Sequence, residues 1–376
     1  MAKRATAKPI KGRKLHVTTG DGAEVVMGHN FWRGEHATFR PEAAAMEQPD
    51  ALIAHVLSGM MPAAPFIDRD TKIVAFGSCF ARYVSGYLNN LGFDVTTARE
   101  GKAYVTSLGD GIVNSYAVLQ QFEWAWEGRQ PPVALWHGFK AEEFGYQEDV
   151  RLATRALFDA ADVFIITLGL SEIWYDEPTG EVFWRAVPFE KFDATRHKFR
   201  VASPAENFAN LEKTCALIRK HRPEASIVLT LSPIPLLATF RPVSAFAADA
   251  VSKASLRFAI DELMRSRADD AKLFYYPSYE VVLNCFRQPF AGDLRHPHMH
   301  VLDLNMKAFE RFYCRTGLSD ADIAAAYADA LAKDRALCAD GAKADWRDEQ
   351  REWFAAHPVE AVRRDMTQSK TKPTKR

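Results

Sequence analysis

Lys72-Ile73-Val74-Ala75-Phe76-Gly77-Ser78-Cys79-Phe80-Ala81 is the stretch on which the fold turns. Lys72–Phe76 reads as a short buried strand, because an apolar run of this length, rich in β-branched and aromatic residues, needs cover on both faces. From Phe80 to Leu91 the apolar residues Tyr83, Tyr87, Leu88 and Leu91 recur at helical spacing. Gly77 permits a tight turn between the two. A strand that passes through one glycine into a helix is the unit of an α/β sheet, and the rest of the chain repeats the pattern.

Asp162–Leu168, Ser226–Leu231 and Lys272–Tyr276 read as further strands, and Phe93–Thr97 is β-rich. Between them Asn114–Trp126, Pro204–His221 and Ala247–Ser266 have helical spacing, with Ser203 as a cap and Pro204 at a first helical position. Alternating strands and helices predict an α/β fold: a doubly wound, mostly parallel sheet covered on both faces. Residues 71–318 are assigned to this domain. Residues 15–70, with a helix around Pro41–Leu57 and punctuation at Pro62 and Pro65, are expected to form an N-terminal arm packed on it. Residues 319–362 are expected to be a helical extension.

The 376 residues include 48 Lys or Arg and 48 Asp or Glu, but the charges are unevenly placed. Residues 1–14 hold six basic side chains and no acid, and residues 363–376 hold six and one, leaving 36 basic against 47 acidic, a net of −11, in 15–362. The two ends are expected to be disordered basic tails. A body of that charge repels phosphate, so nucleic acid is not the expected substrate. The basic N-terminus leads into no apolar run, so a secretory signal is not expected, and no stretch is long enough to span a bilayer. Five scattered cysteines without a Cys-x-x-Cys pair fit a reducing compartment, and the protein is expected to be cytoplasmic.

In open α/β sheets ligands bind beyond the carboxyl ends of the strands. Ser78 falls there, beside the free N–H groups of a new helix that favour developing negative charge. Serine is also a favoured helix cap, so the same segment admits a purely structural reading. Cys79 is a rival nucleophile, more simply read as helix packing. Asp293-Leu294-Arg295-His296 lies after the last strand, on the same edge; an acid three residues before a histidine supplies a base and the group that orients it. His296, His298 and His300 alternate, which in an extended segment puts three imidazoles and Asp293 on one side for a metal, although Pro297 interrupts the run. No metal or other cofactor is expected. At the end of the second strand, Gly169 brings a backbone N–H close to a substrate oxygen, Ser171 offers a hydroxyl, and Glu172 is either an acid or base or the anchor of a loop.

Phe76-Gly77-Ser78-Cys79-Phe80-Ala81 resembles the signature of the GSCFA family. Thr167-Leu168-Gly169, Thr230-Leu231-Ser232-Pro233, Ser252-Lys253-Ala254-x-Leu256-Arg257, Tyr276-Pro277-Ser278-Tyr279-Glu280 and Asp293-Leu294-Arg295-His296 follow in that family's order, over roughly residues 30–315. That family in turn resembles the SGNH (GDSL-like) hydrolases. The resemblance implies a flavodoxin-like, three-layer fold with Ser78 as nucleophile, His296 as base and Asp293 as its orienter. Gly169 matches the glycine of the SGNH Gly-x-Asn-Asp block, but Ser171 stands where the oxyanion-hole Asn belongs and Glu172 replaces the Asp. Ser171, or Asn114, is expected to substitute. The expected function is serine-dependent hydrolysis of an acyl ester on a carbohydrate, glycoconjugate or small molecule. An O-acetyltransferase and a non-catalytic binding protein on the same fold are the alternatives.

Overall fold

A computed structural model of the protein describes residues 14–18, 24–28, 38, 40–99, 101–107, 111–136, 141–340 and 346–356. The expected tails lie outside these, apart from Lys14. The chain divides into two compact units at Ala45 and Met46. In the first, strands β1 (Lys14–Thr18) and β2 (Glu24–Gly28) pair antiparallel, Lys14 opposite Gly28.

In the second unit, β3 (Ile73–Gly77), β4 (Val163–Leu168), β8 (Ser226–Leu231) and β9 (Leu273–Tyr276) form a parallel sheet in the order β3-β4-β8-β9. The register sets Gly77 beside Thr167 and Leu168 beside Leu231, so the strands end on one edge. Alternate residues feed two cores. Val74, Phe76, Phe164, Ile166, Ile227 and Leu229 face the core shared with helices α2 (Ser115–Phe122), α3 (Glu148–Ala160), α4 (Pro204–His221) and α5 (Ala245–Ser266). Ile73, Ala75, Val163, Ile165 and Val228 face α1 (Cys79–Asn90) and α7 (Met299–Tyr313). These are the three layers of an α/β fold, built as the strand–helix alternation predicts. Helices α6 (Ser278–Cys285), α8 (Asp320–Asp340) and α9 (Trp346–Ala356) complete the helical complement of eight residues or more among the described residues.

Three segments differ from expectation. The β-rich segment Phe93–Thr97 makes one bridge, Val95 to Ile73, and then turns into a short 3-10 helix, Thr96–Ala98. Threonine hydroxyls replace the missing ladder: Thr96 donates to the Ile73 carbonyl, and Thr97 accepts from the Ala75 N–H and donates to its carbonyl. The helix expected over Pro41–Leu57 is broken into Ala43–Met46 and a π turn, Leu52–Val56. The segment after β4 is a small antiparallel sheet rather than a loop: β6 (Glu181–Val182), β5 (Glu172–Asp176) and β7 (His197–Val201), in that order.

Candidate active site

Ser78 sits where β3 becomes α1, as the N-cap of that helix, with its hydroxyl accepting from the Phe80 N–H. The turn depends on Gly77, whose φ is +128° and where a Cβ would lie 2.0 Å from the Thr167 carbonyl oxygen. No other residue fits there. Thr167 then holds Ser78 from β4: its hydroxyl lies 2.9 Å from Ser78 Oγ, and the Ser78 N–H donates to Thr167 O at 2.9 Å and Oγ1 at 2.7 Å. Gly169 approaches from the same strand end, and a Cβ there would stand 3.3 Å from the Cβ of both Ser78 and Val113.

The acid–histidine pair forms as the i, i+3 spacing predicts. His296 Nδ1 lies 2.5 Å from Asp293 Oδ2, while Asp293 Oδ1 accepts the N–H groups of Arg295 and His296. The backbone is forced into this shape: Leu294 has φ +56°, a left-handed conformation uncommon for leucine. Burial holds the His296 imidazole below its ordinary 6.5 despite the Asp293 carboxylate, which favours the neutral form, the one that acts as a base, at pH 7. Bonds from the His296 imidazole and from the backbone N–H groups of His296 and Arg295 hold the Asp293 carboxyl below its usual range, although its burial works in the opposite direction. The pair lies close to α1. Burial, followed by the charges of Cys79 and Asp293, pushes the Tyr83 phenol up. Ser78 Oγ is bonded to Thr167 and not to His296, so a proton passing between Ser78 and His296 would require the serine to turn away from Thr167. Such bonds commonly tighten only with substrate in place.

The expected oxyanion donors all have partners within the protein. The Ser78 N–H is taken by Thr167 and the Gly169 N–H by the Val113 carbonyl at 2.8 Å. Ser171 is fully buried, and its hydroxyl donates to the Ser252 carbonyl of α5 at 3.1 Å. Asn114 caps α2 through Oδ1, and its Nδ2 donates to the carbonyls of Phe183 and Trp184. Each expected donor is spent inside the protein, on acceptors that β4, the segment before α2, α5 and the residues after β6 bring from elsewhere in the chain. The extended run of histidines is corrected. Helix α7 begins at Met299, with His298 as its cap residue; His298 is buried against Glu349 of α9 at 2.7 Å, and His300 lies in the first helical turn.

A residue not assigned a role from sequence organises the edge instead. Lys253, 1% exposed, donates from Nζ to the carbonyls of Gly169 (2.7 Å), Ser232 (2.8 Å) and Ile234 (2.8 Å), tying the ends of β4 and β8 together. Arg295 extends the tie by donating to the Pro235 carbonyl. The sequence signal is a lysine in the buried row Lys253, Leu256, Ile260, Leu263. Next to it, Arg257 of the same motif pairs with Glu280 at 2.7 Å, and Tyr275 also donates to Glu280. A cleft of about 940 Å³, lined by Tyr87, Leu91, His300, Lys307, Lys333 and Trp353 among others, opens towards the C-terminal half of α1 and includes neither Ser78 nor His296.

Ordered strand-end motifs, a serine cap behind an obligatory glycine and an Asp-x-x-His turn agree with the family model that matches residues 72–309, that of the GSCFA family. The chain belongs to the GSCFA family. No curated protein gives a match. The GSCFA match runs from the residue before β3 into α7 and so takes in every residue of this edge. No helix among the described residues is long and apolar enough to cross a membrane.

Proposed function

We propose that this GSCFA protein is a serine acyl-ester hydrolase acting on an O-acylated carbohydrate or glycoconjugate in the cytoplasm. The observation that carries the proposal is the His296 imidazole, bonded to the Asp293 carboxylate in a turn that follows the last strand of the sheet whose first strand ends at the helix-capping Ser78. Ser78 Oγ attacks the ester carbonyl as His296 takes its proton; the alcohol leaves with that proton, and the acyl group stays on Ser78. Water, deprotonated by His296, then releases the acid and frees Ser78. If a sugar hydroxyl replaces water in the second step, the product is a new ester, and the enzyme is an O-acyltransferase. The developing oxyanion is stabilised at the N-terminal end of α1, whose dipole favours negative charge, in place of the expected donors.

One observation favours the non-catalytic alternative, namely that every expected oxyanion donor has an internal partner. A fluorophosphonate probe decides between the two, because it labels only an activated serine. Labelling of the wild type that is lost in Ser78→Ala supports the hydrolase. An unlabelled wild type refutes it in favour of a binding protein.

A further inference from the structure

Three buried polar atoms without a hydrogen-bond partner lie in the segments β5 and 239–241: Oε2 of Glu172, Nε1 of Trp174 and Nη1 of Arg241. Buried polar groups are nearly always paired, and each exception costs about 1–3 kcal/mol, so a group of three in adjoining segments calls for an explanation. Glu172 and Trp174 are two apart on β5 and share a face, with Phe199 of β7 opposite Trp174. The loop after β8 lies over that face. Thr239 donates to Glu172 Oε1 at 2.8 Å, the Arg241 N–H donates to Thr239 Oγ1, and the Phe240 ring stands 4.9 Å from that of Trp174. The Arg241 charge reaches the Glu172 carboxylate without bonding to it. Phe192 and Phe199 close the aromatic cluster.

We propose that this face of β5 and β7, together with the loop after β8, is a binding subsite for a neutral sugar ring. The chemistry selects that ligand class. Aromatic faces suit the apolar C–H face of a sugar, a carboxylate oxygen accepts from a hydroxyl, and an indole N–H with a guanidinium N–H donates to hydroxyl oxygens. An acyl chain leaves all three polar atoms unpaired, and a phosphate meets Glu172, which is 7% exposed, in a desolvated environment. Access to the three buried atoms requires this loop to move. Its Leu237 is 77% exposed and Phe240 56% exposed, whereas its stem is fixed by Lys253 at Ser232 and Ile234. Glu172 follows by three residues Gly169, where a Cβ would stand 3.3 Å from that of Ser78, so a sugar held here is near the reacting edge. That last step rests on the reading of Ser78 as nucleophile; the binding itself does not.

The test is therefore binding, measured on the full chain carrying Ser78→Ala. Tri- to hexasaccharides of glucose and of N-acetylglucosamine are titrated by calorimetry and by saturation-transfer NMR, with p-nitrophenyl laurate and inorganic phosphate as the competing ligand classes. Saccharide binding that Phe240→Ala and Glu172→Gln each weaken about tenfold, and that Phe258→Ala on the outer face of α5 leaves intact, supports the subsite. Trp174→Phe, which keeps a ring but removes the N–H, is expected to cause a smaller loss. Absence of saccharide binding, binding indifferent to Phe240 and Glu172, or laurate or phosphate binding in its place overturns it. Saccharide binding to a protein whose wild type resists fluorophosphonate refutes the hydrolase while leaving the subsite standing.

Discussion

Replacing Lys253 by methionine tests whether the sheet edge is held by a buried charge. Burial depresses the Lys253 ammonium from its ordinary 10.5 to about 8. Between those two values the unfolded chain binds more protons at this residue than the folded one, so the wild type gains stability as pH rises. Each pH unit between them is worth about 1.4 kcal/mol, which makes the full effect about 3 kcal/mol, most of it gained between pH 7 and 10. Lys253→Met lacks this dependence while sharing every other titrating group. The assay is urea unfolding of both proteins, under reducing conditions, at pH 7, 8, 9 and 10. The quantity to plot is the difference in unfolding free energy, wild type minus variant, which is expected to climb with pH. At pH 7 the variant exchanges the cost of a buried charge for three carbonyls without a donor. A difference that stays flat, or falls with pH, refutes the assignment of a desolvated ammonium clamped by Gly169, Ser232 and Ile234.

Ser78→Ala should abolish turnover of short aryl esters at a stability cost near ~1 kcal/mol, because it removes a helix cap; full turnover in an activity assay would contradict the nucleophile. His296→Ala should lose as much, with the double variant little worse, since members of such a unit are not additive. The acid limb of kcat/KM in the wild type should lie below pH 6.5, because burial favours the neutral imidazole and activity falls only as that form is protonated; a limb above 6.5 counts against His296 as base. Asn114→Ala should lower the urea midpoint, by about 2–3 kcal/mol in stability, as it strips a cap from α2 and donors from two buried carbonyls. A loss of kcat at unchanged stability would instead return Asn114 to the oxyanion hole.

What the sequence reveals here is what is local. The helix Pro204–His221, its Ser203 cap and its Glu206 capping box follow from neighbouring residues, as does the Asp293–His296 turn. The strands Val163–Leu168 and Ser226–Leu231 are legible because burial on both faces leaves runs that are apolar but for Thr167, Ser226 and Thr230. The fates of Gly169, Ser171 and Asn114 are not legible. Their partners are Val113, Ser252 and the Phe183–Trp184 carbonyls, 56 to 81 residues away, and only the fold brings them together. The β5–β7 sheet is hidden for a related reason: its strands are half-covered and short, and the turn at Pro178-Thr179-Gly180 is their main signal. Lys253 is visible in a motif, but its role depends on three carbonyls that the motif does not contain.

The threonine pair beside β3 has a consequence for solubility. A parallel sheet ends in a strand whose outward N–H and C=O groups invite another chain to add on, the first step of strand-mediated aggregation. On the outer side of β3 the groups of Ile73 and Ala75 are already occupied: Ile73 N–H by the Asp94 carbonyl, Ile73 C=O by Thr96, and both Ala75 groups by Thr97. Two hydroxyls thus close the border without lengthening the sheet, and they do so within one turn of backbone that has no strand edge of its own to offer an incoming chain.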